Sequence, residues 1–301
     1  MRNADSSGIL FALTGFALLS TGDAIIKTMA GEWSPLAVAA LRFAFGAAGL
    51  SALLLTTQGP AAFRPSHPWL QVARGFCLSA ATLLFFTAIF IMPLAEATAL
   101  VFIAPILTAL LSGPLLKEQV RRATFIASAI AFVGVLVVLR PNFLELGPAA
   151  LLPLASALFM SLLVIANRAS AGQGSALSMQ VYVAVIAAPL LALAALGGYA
   201  SGEERFAVGW PPPGVVLRCA IVAITASTAH YLVYLGTTRA NAATIAPTTY
   251  VQLLVATTLG WWWFGDRPDA MTLVGAAIII AAGLYLWRDN RRRLESAAAP
   301  S

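Results

Sequence analysis

Glu96 stands in the stretch IMPLAEATALVFIAP, inside a long apolar run and bracketed by Pro93 and Pro105. Three more charges fall within apolar runs at a similar predicted depth: Asp23 and Lys27, an i,i+4 pair on one helical face, and Arg42. In hydrocarbon an ionisable side chain is costly, so it faces a bundle interior, a partner or water. The chemistry open to this set is ion pairing that forms and breaks, or carriage of a proton. A second group is mostly uncharged. Ser79, Thr82 and Phe86 fall on one helical stripe, and so do Ser227, His230 and Tyr234. Thr98 with Phe102, and Tyr250 with Gln252, add hydroxyl, amide and ring groups in two further apolar runs. Such groups hydrogen-bond and stack; none is a nucleophile beside a base. The chain has no H-E-x-x-H and no G-x-S-x-G, and Cys77 and Cys219 lack metal spacing. An intramembrane enzyme is therefore disfavoured, and neither a metal nor another cofactor is expected.

The elements that must carry these residues follow from composition. Of 301 residues, 60% are hydrophobic and 10% charged, and the mean hydropathy is +0.86. A soluble domain carries about 25% charged residues. Too little polar surface exists to cover a globule of this size, so the missing part must face lipid. The net charge of +6 comes from basic residues dispersed between apolar spans, which argues against a nucleic-acid partner. The amino-terminal apolar stretch has one arginine against Asp5 and no A-x-A pattern, so it reads as a span and not as a cleaved leader.

Windows of about 20 apolar residues give ten expected spans, near 8–29, 35–56, 70–91, 95–113, 122–140, 147–168, 176–197, 214–236, 240–264 and 270–287. With the amino terminus inside, that side collects Arg2, Arg64, Arg74, Lys117, Arg121, Arg122, Arg168, Arg239, Arg288, Arg291, Arg292 and Arg293. The outer side has Lys27, Arg140, Arg205, Arg218 and Arg267. Twelve against five places both termini in the cytoplasm. WWWF at Trp261–Phe264 reads as an interfacial aromatic anchor.

A shift of 148 residues lays FFTAIFIMPLAEATALVFIAPILTALLSGPLLKE (Phe85–Glu118) over VYLGTTRANAATIAPTTYVQLLVATTLGWWWFGD (Val233–Asp266). The same shift pairs Arg140 with Arg288, and Ser79, Thr82 and Phe86 with Ser227, His230 and Tyr234. Five spans per half is odd, so the second half must cross the membrane inverted relative to the first. The chain divides as 1–143, 144–290 and a basic tail at 291–301. Inverted repeats characterise many secondary transporters, whose sites lie near mid-membrane between the repeats.

With SPLAVAALRFAFGA, MPLAEATALVFIAPILTALLSGPLLKE and FVGVLVVLRP in the first half, and ANAATIAPTTYVQLLVATTLGWWWFGD and VGAAIIIAAGLYLW in the second, the chain resembles the drug/metabolite transporter superfamily. The resemblance is to its EamA-type ten-helix proteins, and within them to YddG-like exporters of aromatic amino acids. It implies an all-α integral membrane fold in which two inverted five-helix repeats enclose a central cavity lined by the third, fourth, eighth and ninth helices. One departure is Leu253, where a counterpart of Pro105 would stand, so the halves need not bend alike.

The cavity lining expected on these grounds is Ser79, Thr82, Phe86, Thr98, Phe102, Ser227, His230, Tyr234, Tyr250 and Gln252. Asp23, Lys27, Arg42 and Glu96 form an outer gate or a static ion-pair cluster, and Pro105 supplies a hinge by removing an i→i−4 hydrogen bond. Asn167 reads as a cap or anchor. The expected activity is export of small organic metabolites by alternating access, with aromatic or other apolar amino acids favoured and other metabolites or drugs as the alternative; a channel would show polar rings along the whole pore. His230, Glu96 or Asp23 could carry a coupling proton. The expected setting is a bacterial inner membrane, with lipid and a small-molecule substrate as partners. If the halves are inverted, a cysteine engineered into the 198–213 connection reacts with an impermeant reagent outside intact cells, and one in the 57–69 connection does not. Equal reaction at both refutes the inversion.

Overall fold

In hydrocarbon a backbone N–H or C=O has no water to bond, so a spanning segment must close its hydrogen bonds within itself. The computed structural model of the chain describes residues 2–116, 122–170, 172–239 and 246–298, and every regular element among them is helical. The helices are α1 (Arg2–Lys27), α2 (Pro35–Gln58), α3 (Pro68–Ile91), α4 (Leu94–Val101), α5 (Ala104–Leu116) and α6 (Arg122–Leu146). They continue as α7 (Leu152–Ala169), α8 (Ala176–Ala200), α9 (Pro213–Arg239), α10 (Val251–Phe264) and α11 (Ala270–Ala298). The basic hairpin at 117–121, the start of the expected ninth span at 240–245 and the end of the tail at 299–301 lie outside the described residues.

Local sequence explains the boundaries. Pro35, Pro68 and Pro213 each open a helix, where the missing N–H is one the first turn leaves unpaired anyway. Ser175 caps α8 by accepting the Ser178 N–H at 3.1 Å. Gly265 ends α10 at φ 71°, a left-handed conformation that glycine adopts without a Cβ clash.

Among the described residues, nine helical segments are long and apolar enough to cross a membrane, and they coincide with nine of the ten expected spans. The remaining span is represented by a 3-10 turn, Ala246–Tyr250, followed by the 14 residues of α10. The fourth span is also interrupted, into α4 and α5.

The chain forms two compact units, each drawing on both halves of the sequence. The first comprises Met1–Ala24, Met92–Leu151 and Thr228–Ser301. Its long seam is α6 against α11, and glycines set the closeness. A Cβ on Gly134 would stand 2.8 Å from the Gly275 carbonyl oxygen and 2.8 Å from Ile279. The 148-residue shift carries Gly134 to Ala282 and Ala127 to Gly275, and both alanines are fully buried. Gly15 and Gly236 do the same for α1 against the end of α9, approaching Ala229 and Ala12. Small residues of this kind let helices in lipid meet along their backbones, where packing is the main attraction.

The second unit comprises Ile25–Ile91 and Leu152–Ser227. Here α2 packs on α8, and α3 lies against both α7 and α8. Ser156 of α7 donates to the Ala81 carbonyl of α3 at 2.8 Å, and Gly75 of α3 faces Ile186 of α8 with no room for a side chain. Gly134→Val should lower stability by about 1–3 kcal/mol through overpacking. A reduced thermal midpoint of the purified protein, against no change for Gly49→Ala at an open position, is the measurement.

Candidate functional site

In the first unit, the site residues gather where helices break. Pro105 has no N–H to offer the Val101 carbonyl, and α4 ends at Val101. Phe102 and Ile103 then bond three residues back, to Ala99 at 3.2 Å and Leu100 at 3.4 Å, before α5 resumes at Ala104. The interruption thus falls one turn before the proline, which itself sits in the tolerant first turn of α5. In the second half, Leu253 replaces that proline, yet the helix also starts afresh: the 3-10 turn Ala246–Tyr250, which contains Pro247, precedes α10. Phe102 and Tyr250 are equivalent under the 148-residue shift, and their rings meet edge to face, 5.4 Å apart at 82°.

Around this pair, Thr98 is buried one turn before Phe102. Gln252 donates through Nε2 to Thr249 Oγ1 at 2.9 Å, and its main-chain carbonyl accepts from the Ser20 hydroxyl at 2.8 Å. Glu96 is buried, and Thr272 Oγ1 approaches its Oε1 at 3.4 Å. Thr272 in turn gives its N–H to Asp269 Oδ1 at 2.6 Å. That bond, with the Thr272 hydroxyl, holds the Asp269 carboxyl below its ordinary range. Of the four expected gate charges, Asp23 and Glu96 belong to this unit and Lys27 and Arg42 to the other. Arg42 lies over the Phe43 ring at 4.4 Å.

The two polar stripes meet different environments. Ser79, Thr82 and Phe86 are all buried, whereas Ser227 is half-buried and His230 and Tyr234 are exposed. Ser79 and Ser227 turn their hydroxyls back on their own helices, onto Gly75 at 2.7 Å and Ala223 at 2.8 Å.

The second unit contains a cluster that sequence reasoning misses, because Arg74 counts there only as a loop charge. Arg74 lies six residues into α3 and is 6% exposed. Its Nε donates to Asn167 Oδ1 of α7 at 2.6 Å, and its Nη1 to Gln71 Oε1 one turn back. Nη1 also faces the Met179 carbonyl of α8 at 3.4 Å and its sulfur at 3.9 Å. Three helices therefore converge on one guanidinium. The signal that could have exposed it is the Q-x-x-R spacing inside an apolar span, which puts amide and cation on one face.

A second arginine of this unit is held differently. Arg218 of α9 binds the Glu32 carboxylate, the Thr28 carbonyl at 3.0 Å and the Thr28 hydroxyl at 3.1 Å. It ties the connection between α1 and α2 to α9. Cys77 and Cys219 are both buried free thiols, and Cys219 lies 3.8 Å from the Met29 sulfur. Among the described residues no cluster of His, Cys, Asp or Glu could hold a metal.

A family profile described as EamA-like transporter family matches residues 6–140 and again 147–288. Among curated proteins, a riboflavin transporter of Rhizobium johnstonii is 30% identical over 239 residues, covering 78% of this chain and 75% of the relative. An S-adenosylmethionine uptake transporter of Rickettsia prowazekii is 25% identical over 96% of this chain and 95% of its own. The pseudopaline exporter CntI of Pseudomonas aeruginosa is 27% identical over 95% and 97%. One crystal structure superposes with a TM-score of 0.65 at 24% identity, covering 93% of this chain and 96% of that one. It shows the same fold.

The Arg218 contact, chiefly its hydrogen bond, holds the Glu32 carboxyl below its ordinary value. A depressed carboxyl stabilises the folded state above its unfolded value and loses that contribution as pH falls through the folded value. The pair is partly solvated, so it contributes at most about 1 kcal/mol. Glu32→Gln should therefore narrow the gap between the thermal midpoints measured at pH 6 and pH 3. An unchanged gap would mean that the pair does not contribute.

Proposed function

The chain belongs to the EamA-like transporter family, and from that premise we propose that it exports small zwitterionic metabolites, foremost amino acids with apolar or aromatic side chains, by alternating access. It is a multi-pass membrane transporter of small molecules and not an enzyme. The relatives are named for three different solutes, two by the word transporter and uptake, one by exporter. The choice of solute therefore rests on this chain's own residues.

The observation that carries the reading is the Phe102–Tyr250 ring pair at two interrupted helices, with Thr98 and Gln252 beside it. Transporters of this general kind build their sites where spanning helices are discontinuous and backbone groups are left for the solute. Aromatic rings with hydroxyl and amide neighbours suit a flat or apolar side chain on a polar head. Ser79, Thr82, Phe86, Ser227, His230 and Tyr234 complete the proposed lining. Asp23, Lys27, Arg42 and Glu96 act as the outer gate, and the Phe102–Ile103 interruption acts with Pro105 as the hinge. The repeated family match, once in each half, supports the five-plus-five organisation. Both termini lie in the cytoplasm in this reading, on the basic-residue bias of the connections.

The test is uptake into liposomes holding the purified protein, with a panel of the twenty amino acids, riboflavin and S-adenosylmethionine, with and without a pH gradient. Saturable uptake of phenylalanine, tyrosine or tryptophan is expected, and Phe102→Ala should reduce it at least tenfold. A flat response to every amino acid beside a response to riboflavin would move the assignment to that solute. Gradient-insensitive uptake would remove proton coupling, and normal transport by His230→Ala would remove that residue from the lining.

A further inference from the structure

We propose that Arg74, held by Gln71 and Asn167 within the second unit, anchors a carboxylate of the transported solute; this rests on the transport reading above. A guanidinium has five N–H donors in a fixed fork. At Arg74 the Nε donor is taken by Asn167 and the Nη1 donors face Gln71 and Met179. Nη2 makes no hydrogen bond to any described residue, and it is not sealed from solvent. Every acceptor around the cation is neutral, and no carboxylate lies within ion-pairing distance among the described residues.

Next to it stands a second unclaimed donor. Gln71 is 1% exposed, its Oε1 is committed to Arg74, and its buried Nε2 has no hydrogen-bond partner. A buried polar group left unpaired is costly, and a buried cation without a counter-ion more so. Arg74 and Gln71 together therefore present positive charge and spare donors with nothing among the described residues to receive them. The cluster is not closed off, because Asn167 is exposed while Arg74 and Gln71 are buried.

Arg218 shows how the same unit secures an arginine for structure: it receives a carboxylate, Glu32, from the chain itself. Arg74 lacks that partner among the described residues while being the more buried of the two. A carboxylate is acceptor-only, can accept from Nη2 and cancels the charge, whereas an amine or a neutral hydroxyl does not satisfy the charge. A single guanidinium with one open amino group, Nη2, fits one monoanionic group.

The experiment uses the full chain, purified, with thermal stabilisation as the readout and paired probes that differ in the carboxylate: L-tryptophan against tryptamine, and L-phenylalanine against phenethylamine. Inorganic phosphate is a third probe. The acids should stabilise wild type at concentrations at least tenfold below those of the amines. Arg74→Gln should abolish that preference and Arg74→Lys should retain part of it. The decisive variant is Asn167→Asp, which places a carboxylate against Arg74 with almost no change of shape. It should fold at least as stably as wild type and still lose the preference for acids. An Arg74 that merely pins three helices predicts the opposite: Asn167→Asp would keep the preference.

Equal stabilisation by acid and amine, no stabilisation by either acid, or a response to phosphate alone would each overturn the inference. The transport reading fails separately. Uptake of riboflavin with no acid preference would reject the anchor and keep transport. An Arg74-dependent acid preference without uptake of any probe would keep the anchor and reject the solute class proposed above.

Discussion

The structure depends on the demand that hydrocarbon places on every polar group, main chain first. A continuous helix meets it without help, which is why, among the described residues, nine apolar segments are helical over enough residues to cross a membrane. The same demand makes each interruption informative. Between Val101 and Ala104 the chain gives up the regular ladder and bonds three residues back. At Ala246–Tyr250 it again uses the tighter turn. Both exceptions fall on residues related by the 148-residue shift, and both bring an aromatic ring to the break. A single proline accounts for the first break through the bond it cannot donate. The second break has no proline at the equivalent place, so the discontinuity belongs to the position more than to one residue.

Packing obeys a related constraint. Lipid offers apolar side chains as good a neighbour as another helix does, so helices associate where backbones can come close. Gly134 with Gly275, Gly15 with Ala229, and Gly236 with Ala12 are such places in the first unit. Side-chain hydroxyls in these helices mostly bond their own carbonyls four residues back, as Thr14, Thr21, Ser79, Thr108, Ser128 and Ser227 do. Among the described residues, Ser20, Ser156, Thr272 and Arg74 join one helix to another, and Arg218 joins a connection to a helix.

The helical spans were legible because length and hydropathy decide them, and among the described residues nine of ten windows coincide with helices long enough to cross. The fourth span's break was legible in part: Pro105 announced a disturbance, but its position at Phe102–Ile103 follows from which carbonyl loses its partner. The membership of the polar site was less legible. A 3.6-residue period shows that Ser79, Thr82 and Phe86 share a face, not whether that face is covered, and the equivalent face with His230 and Tyr234 is exposed. Arg74 is hidden from sequence reasoning because a basic residue near the end of an apolar window reads as the edge of the membrane. Whether it snorkels out or turns inward depends on Asn167 and Met179, which are 93 and 105 residues away in sequence.

The contrast between the two arginines of the second unit shows how charge is placed in a protein of this composition. Only 10% of the chain is charged, so a cation on a spanning helix is conspicuous and its partners reveal its use. Arg218 meets a carboxylate from its own chain and two acceptors on Thr28, which fixes a connection to a helix. Such a pair, being partly solvated, adds little stability and serves mainly to fix that geometry. Arg74 meets two amides, a carbonyl and a sulfur. Those acceptors orient the guanidinium without neutralising it. Orientation without neutralisation has little value for a scaffold, which needs its charges cancelled to stay folded. The same arrangement serves a site that must take up an anion and release it. There the guanidinium is already oriented, and the missing charge arrives with the solute and leaves with it.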